Sequence, residues 1–219
     1  MVRPAAFSLE TMMVSSTRTI EDTMGHMYDY HAVLGAVALA VGVAGYIPYI
    51  SNTLKGTTKP HPFTYLIWAL IGAISFAAQL AENGGPGAWA MGIPVLFGIV
   101  IAALSLTKGE KSITKSDWLC LITALGAIAI WQLTDDALYA VIIVIGINTL
   151  AFVPTFRKAY SKPDEETALS YALGVLRSVI SIPALLSFNV VTVLPLAYHI
   201  LSNLALVVML IVRRKNLGR

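Results

Sequence analysis

The charged residues of this chain fall in clusters, and between the clusters lie seven windows almost free of charge. They cover residues 32–54, 63–80, 88–106, 118–133, 137–156, 169–188 and 190–212. A hydrocarbon core about 30 Å thick is crossed by roughly 20 apolar residues of helix, and every backbone N–H and C=O inside it must find a partner within the protein. Seven such windows in 219 residues predict an all-α membrane protein of seven transmembrane helices. The fourth window is the shortest, and its helix is expected to tilt least. Little is left outside the windows, so these residues have no room for a soluble catalytic domain.

The composition agrees, with 57% hydrophobic and only 12% charged residues, about half the charge fraction of a soluble domain. Residues 1–30 are polar and Met-rich, without the continuous apolar run of a signal peptide, and are expected to be a flexible tail; Met24 and Met27 are alternative starts. The one cysteine, Cys120, lies in the fourth window and cannot form an intramolecular disulfide. A net charge of +3 does not point to nucleic acid, because the cations sit in short loops and at the C-terminus.

Those cations set a topology. Lys55 and Lys59, then Lys108, Lys111 and Lys115, then Arg157, Lys158 and Lys162, and finally Arg213, Arg214, Lys215 and Arg219 fall on one side, while Glu82, Asp135 and Asp136 fall on the other. Lys and Arg in short loops stay in the cytoplasm, so the N-terminus is expected outside and the C-terminus inside.

Sliding the chain against itself brings the first window over the fifth at an offset of about 106 residues. Pro48 then meets Pro154, Thr64 meets Ser170, Tyr65 meets Tyr171, Leu70 meets Leu176, and Ile74-Ser75 meets Ile180-Ser181. Pro94 and Pro195 correspond at a slightly shorter offset. A three-helix unit reverses the side of the chain, so two parallel copies need an odd helix between them, and the fourth window supplies it. The expected organisation is a tail over 1–30, a three-helix unit over 31–108, a linker helix over 109–135 and a second three-helix unit over 136–219.

The segment Tyr46-Ile-Pro-Tyr-Ile-Ser-Asn-Thr-Leu-Lys followed by Phe63-Thr-Tyr-Leu-Ile-Trp68, and Phe152-Val-Pro-Thr-Phe-Arg-Lys followed by Ala168-Leu-Ser-Tyr171, resemble the PQ-loop superfamily, to which SWEET and SemiSWEET sugar transporters, cystinosin-like exporters and KDEL receptors belong. The likeness runs from about residue 32 to the end. In that family the proline is usually followed by glutamine; here Tyr49 and Thr155 follow it, which marks a divergent member. The resemblance implies two parallel units around an axis along the membrane normal, with a solute site between them near the midplane. SWEET proteins use asparagines and tryptophans at their sugar site, so it implies roles for Trp68 and Asn203. The third window has Ala102 where the repeat would place a partner for Asn203, so a symmetric asparagine pair is absent.

Charge at the bilayer midplane is costly, about 2.5–3.5 kcal/mol on insertion scales, and Arg177 is the residue that carries it. Its repeat counterpart is Ile71. Ser170, Gly174, Arg177 and Ser181 share one helical face; Thr64, Trp68, Ile71 and Ser75 share the corresponding face of the second window, extended by Gln79 and Glu82. Such polar stripes either line a solute route or hydrogen-bond helix to helix. Arg177 either binds an anionic solute through its planar fork or is a structural counterion to a carbonyl or to a carboxylate such as Glu82. His199 is either a proton-coupling group or a neutral histidine bonded within the bundle. The substrate-binding set is Trp68, Ser75, Asn148, Arg177, Ser181, His199 and Asn203, and Pro48, Pro154, Pro183 and Pro195 are candidate hinges.

Catalytic motifs and metal-spaced Cys/His sets are missing, so no enzyme, cofactor or metal is expected. A retinal protein would need a lysine within the last window, and Lys215 lies beyond it. The expected function is transport of a small polar solute, a sugar, amino acid or small carboxylate, by alternating access. The alternative is a receptor of KDEL-receptor type. The solute and the lipid bilayer are the expected partners, with self-association left open.

Overall fold

The computed structural model describes residues 9–131 and 137–218. It contains seven α-helices: α1 (Leu9–Leu54), α2 (Pro62–Ala81), α3 (Pro86–Lys108), α4 (Lys115–Trp131), α5 (Ala137–Ser161), α6 (Ala168–Ser181) and α7 (Val190–Asn216), with a short 3-10 turn at Pro163–Glu165. Among the described residues there is no strand. Five segments, Tyr30–Leu54, Pro62–Ala81, Pro86–Lys108, Val141–Ser161 and Val190–Asn216, are long and apolar enough to cross a membrane, which is the build of a multi-pass membrane protein.

Local chemistry sets several helix ends. Proline opens α2 at Pro62 and α3 at Pro86, where its missing N–H is not needed and its fixed φ suits the first turn. At the start of α7 the Asn189 side chain accepts from the Thr192 N–H at 3.0 Å and the Thr192 hydroxyl takes the Asn189 N–H at 3.1 Å, a reciprocal cap. Large apolar side chains such as Leu96, Ile99, Leu119, Ile122 and Leu201 point outward, as expected where the solvent is lipid.

The helices form a ring in the order α1, α3, α2, α5, α7, α6 and back to α1, with α4 outside it against α5. The cation-bearing loops all meet at one end of this ring, called here the basic end. Lys59 pairs with Glu165 at 2.6 Å, Lys162 with Glu110 at 2.9 Å and Arg157 with Asp117 at 2.6 Å. The Arg214 guanidinium donates to the carbonyls of Pro163 and Glu166 at 2.8 and 2.6 Å. At the opposite end the α2–α3 turn meets the chain after α6: Gly87 N–H donates to the Ala184 carbonyl at 2.9 Å, Leu186 N–H to Gly84 at 3.3 Å, and the Asn189 amide to Glu82 at 3.3 Å.

Two elements differ from the sequence expectation. The segment expected as a flexible tail is helical from Leu9 and continuous with α1; once a helix is nucleated, adding residues costs little, and residues 9–47 contain no proline to stop it. The sixth window does not stay helical to residue 188, because α6 ends at Ser181 after 14 residues. Pro183 lacks the N–H that would continue the ladder. The following residues turn beneath α2 and α3, with Ala184 and Leu185 fully buried and their backbone groups taken up by Ser181, Ile182 and Gly87. Irregular backbone in a membrane protein persists where it is covered and bonded in this way. The distal part of the fourth window, residues 132–133, and the acidic pair Asp135 and Asp136 lie outside the described residues.

A Cβ on Gly87 would stand 2.7 Å from the Leu185 nitrogen and 2.8 Å from the Ser181 oxygen, both backbone atoms that cannot step aside, so Gly87→Ala should cost about 1–3 kcal/mol, read as a lower denaturation midpoint in detergent. For the Glu110 carboxyl, burial pushes the pKa up, but the Lys162 hydrogen bond and those from Ser112 outweigh it and hold it at about 2, against 4.5 for the free group. A carboxyl depressed in the folded state stabilises above its unfolded pKa and loses that contribution as pH falls through the folded value. The stability advantage of wild type over Glu110→Gln should therefore be full above pH ~5 and vanish by pH ~2; an advantage that persists unchanged at pH ~2 would contradict the pairing.

Candidate functional site

Six of the seven residues singled out from sequence, Trp68, Ser75, Asn148, Arg177, His199 and Asn203, line one cavity inside the helix ring. The seventh, Ser181, is buried but off its wall, its hydroxyl donating to the Arg177 carbonyl at 2.9 Å. The cavity measures about 70 Å³. One water needs about 10–15 Å³ on this measure, so the space holds on the order of five waters or a small solute.

The walls come from both halves of the chain. Tyr46 of α1 stacks on Phe97 of α3 with ring centroids 4.8 Å apart. Trp68 of α2 packs on Phe152 of α5 at 4.5 Å. Asn203 of α7 donates its amide to the His199 carbonyl at 2.8 Å. Four wall residues carry a buried polar atom with no hydrogen-bond partner: Trp68 Nε1, Asn148 Oδ1, Ser170 Oγ and Arg177 Nε. Buried polar groups are nearly always paired, so this concentration of open valences around one cavity is the site's most unusual feature.

Arg177 itself is only 4% exposed. Its Nη1 donates to the Ala90 carbonyl at 3.3 Å, and the Tyr46 side chain is its other close polar neighbour. Of the two structural counterions expected from sequence, the carbonyl is present and Glu82 is not: that carboxylate is held by Asn189 at the end of the bundle. Space for the arginine stem comes from α1, where a Cβ on Gly42 would lie 2.9 Å from Arg177 Cδ.

Toward the basic end the cavity has an aromatic floor of Tyr49, Tyr65 and Tyr171, with Tyr49 and Tyr65 centroids 5.4 Å apart and Tyr49 and Tyr171 6.1 Å apart. Beneath it lies Glu166, whose Oε2 accepts from the Tyr49 hydroxyl at 3.2 Å and the Tyr171 hydroxyl at 2.9 Å. Its Oε1 takes the Lys158 ammonium, which also donates to the Glu165 carbonyl at 3.0 Å and to the Lys59 carbonyl. The Thr58 and Thr167 hydroxyls meet at 2.6 Å beside this cluster. At the other end Met91 lines the cavity and packs with Leu185 and Leu196. Gln79, one turn beyond Ser75 on α2, is fully buried with its amide unpartnered.

The candidate hinges divide. Pro48, Pro154 and Pro195 lie inside α1, α5 and α7, and Pro183 lies in the turn that follows α6. Pro94, inside α3, is on the cavity wall. Sequence reasoning missed the tyrosine floor and the Lys158–Glu166 pair. Tyr65 and Tyr171 were detectable as repeat equivalents; no periodicity announces Glu166, which reaches the floor from a loop. Among the described residues no group of three or more His, Cys, Asp or Glu side chains is gathered where it could hold a metal ion.

Compared with known proteins, the chain matches no family model, no curated protein and no solved structure.

Lys158 and Glu166 side chains are 3% and 0% exposed. Removing one partner of a buried pair strands the other's charge, at a cost of about 3–5 kcal/mol. Lys158→Met should lower stability by that amount, and the double variant Lys158→Met/Glu166→Leu should recover a substantial part of the loss in a double-mutant cycle.

Proposed function

We propose that this chain carries a small polar solute across a membrane by alternating access between two three-helix units, residues 31–108 and 136–219, joined by the linker helix within 109–135. The observation that carries the reading is a cavity with unpartnered polar groups, walled by both halves of the chain and closed toward each end by contacts between those halves. A solute site near the middle of a bundle with ties at both ends is what alternating access requires.

Several contacts support two units related by a two-fold axis along the bundle. Lys59 and Glu165 differ by 106 residues, the repeat offset, and they touch both through their side chains at 2.6 Å and through the Lys59 N–H and Glu165 carbonyl at 3.1 Å. Residues related by a two-fold axis meet where the axis passes. The Thr64 hydroxyl of α2 donates to Ala151 of α5 at 2.8 Å; adding 106 to the first residue and subtracting it from the second gives Ser170 and Gly45, and the Ser170 carbonyl lies 3.5 Å from a Cβ built on Gly45. The ring order also repeats, with α1 against α6 as α5 is against α2. This pairing, with the basic loops and the paired prolines, supports a divergent PQ-loop protein of SWEET-like build, its basic end cytoplasmic and its N-terminus outside.

The mechanism would be a rocking of the units in which the Lys59–Glu165 and Tyr49–Glu166 ties part while the Glu82–Asn189 end stays shut, and the reverse. A receptor without transport uses the same buried arginine, so transport must be measured directly. Proteoliposomes should show saturable, counterflow-competent uptake of at least one member of a panel of sugars, amino acids and small carboxylates. Lys59 and Glu165 backbones are hydrogen-bonded to each other, within disulfide reach. In a Cys120→Ser background, the pair Lys59→Cys/Glu165→Cys should therefore lose uptake on oxidation and regain it on reduction. Uptake insensitive to that crosslink would remove rocking at the basic end from the account.

A further inference from the structure

We infer that the cavity is built for a small organic monoanion, a carboxylate of about two or three carbons, held by Arg177. The inference rests on the proposed solute-site reading of this cavity and adds the substrate class.

Charge balance carries it. Among the described residues Arg177 has no acidic partner, and it is the one Lys, Arg, Asp or Glu on the cavity wall. A buried cation without a counterion is expensive and is tolerated where something supplies the missing charge. The buried carboxylate beneath the cavity floor, Glu166, cannot do so: its oxygens are taken by Lys158, Tyr49 and Tyr171. The solute is left to bring the negative charge.

The same balance limits the anion to one charge. A dianion such as sulfate or a doubly ionised phosphate would bury a second negative charge against no second fixed cation. A cationic solute would meet like charge. The open hydrogen-bond valences fit an anion as well: Arg177 Nε, Trp68 Nε1 and the Ser170 hydroxyl are donors, and a carboxylate accepts bonds with about four lone pairs. Asn148 Oδ1 is an open acceptor, suited to a hydroxyl on the same small acid. The cavity of about 70 Å³ sets the size. Gly42 shows that the arginine is accommodated by design of the interface, since any side chain there would push on its stem.

The test uses purified full-length protein in nanodiscs and titrates lactate, lactamide and sulfate by calorimetry. Lactamide is nearly isosteric with lactate and neutral. The inference predicts that lactate binds at least about tenfold more tightly than lactamide or sulfate, the usual margin for a charge-assisted hydrogen bond, and that Arg177→Gln removes the preference. Lactamide binding as well as lactate, or sulfate binding more tightly, overturns it, as does an undiminished lactate preference in Arg177→Gln. The wild-type comparison decides the matter even if the variant does not fold. Lactate uptake into proteoliposomes is measured separately: binding without uptake supports the anion site and counts against transport, whereas saturable uptake of a neutral solute with no lactate binding supports transport and overturns the anion site.

Discussion

The Lys158–Glu166 pair is the contact on which the basic end of the molecule depends. Lys158 reaches from α5 to the carbonyls of Lys59 and Glu165 as well as to the carboxylate. Glu166 in turn holds tyrosines of α1 and α6, and its own carbonyl takes Arg214 of α7. One buried ion pair thus gathers four helices and two loops and places the tyrosine floor under the cavity. Such a pair is a poor source of net stability, because desolvation consumes much of its attraction. It is a precise source of register, since all three Lys158 donors and both Glu166 oxygens are engaged. Its bonds to Tyr49 and to the Lys59 carbonyl cross from one half of the chain to the other, and these are the ones a gate on the proposed route would have to break.

The cavity above it follows from residue volume. Where α1 faces α6, Gly42 and Gly45 let the helices approach closely and leave room for the Arg177 stem. At the interface of α2 and α5, which the proposed repeat makes its counterpart, Ile71 packs with Ile147 and Ala151 in an ordinary apolar cluster. Asn148 occupies the position of Gly42 in the repeat, and Ile71 that of Arg177. The two halves have thus exchanged small for large and apolar for charged across one position each. That exchange makes the cavity electrically one-sided, with Arg177 on its α6 side and Ile71 on its α2 side.

Much of this architecture can be read from sequence because lipid imposes simple rules. Charge-free windows become helices, and the basic loops do gather at one end. Pro183 shows the limit: the apolar run continues past it, so hydropathy alone carries the sixth helix too far, while the missing N–H ends it at Ser181. The site residues were legible to the extent that polarity inside an apolar window is conspicuous, which is why Arg177, Asn148, Trp68 and Asn203 stand out. Tyr49, Tyr65 and Phe152 look like ordinary membrane aromatics until their neighbours are known. Glu166 sits among loop charges and resembles a solvated surface residue. Its burial is a product of tertiary packing between segments far apart in the chain, which local pattern does not encode.

In the proposed mechanism the two halves move against each other about the cavity. The most direct measurement is pulsed electron resonance in nanodiscs on a Cys120→Ser background, with spin labels on exposed Thr57 and Ser161 at the basic end and, in a second sample, on Ala81 and Phe188 at the other. Rocking predicts two distance populations at each end, with any condition that lengthens one end shortening the other. A single distance at both ends, unchanged by candidate solutes or by removal of the Lys158–Glu166 pair, would contradict it and leave a static bundle with a buried binding pocket.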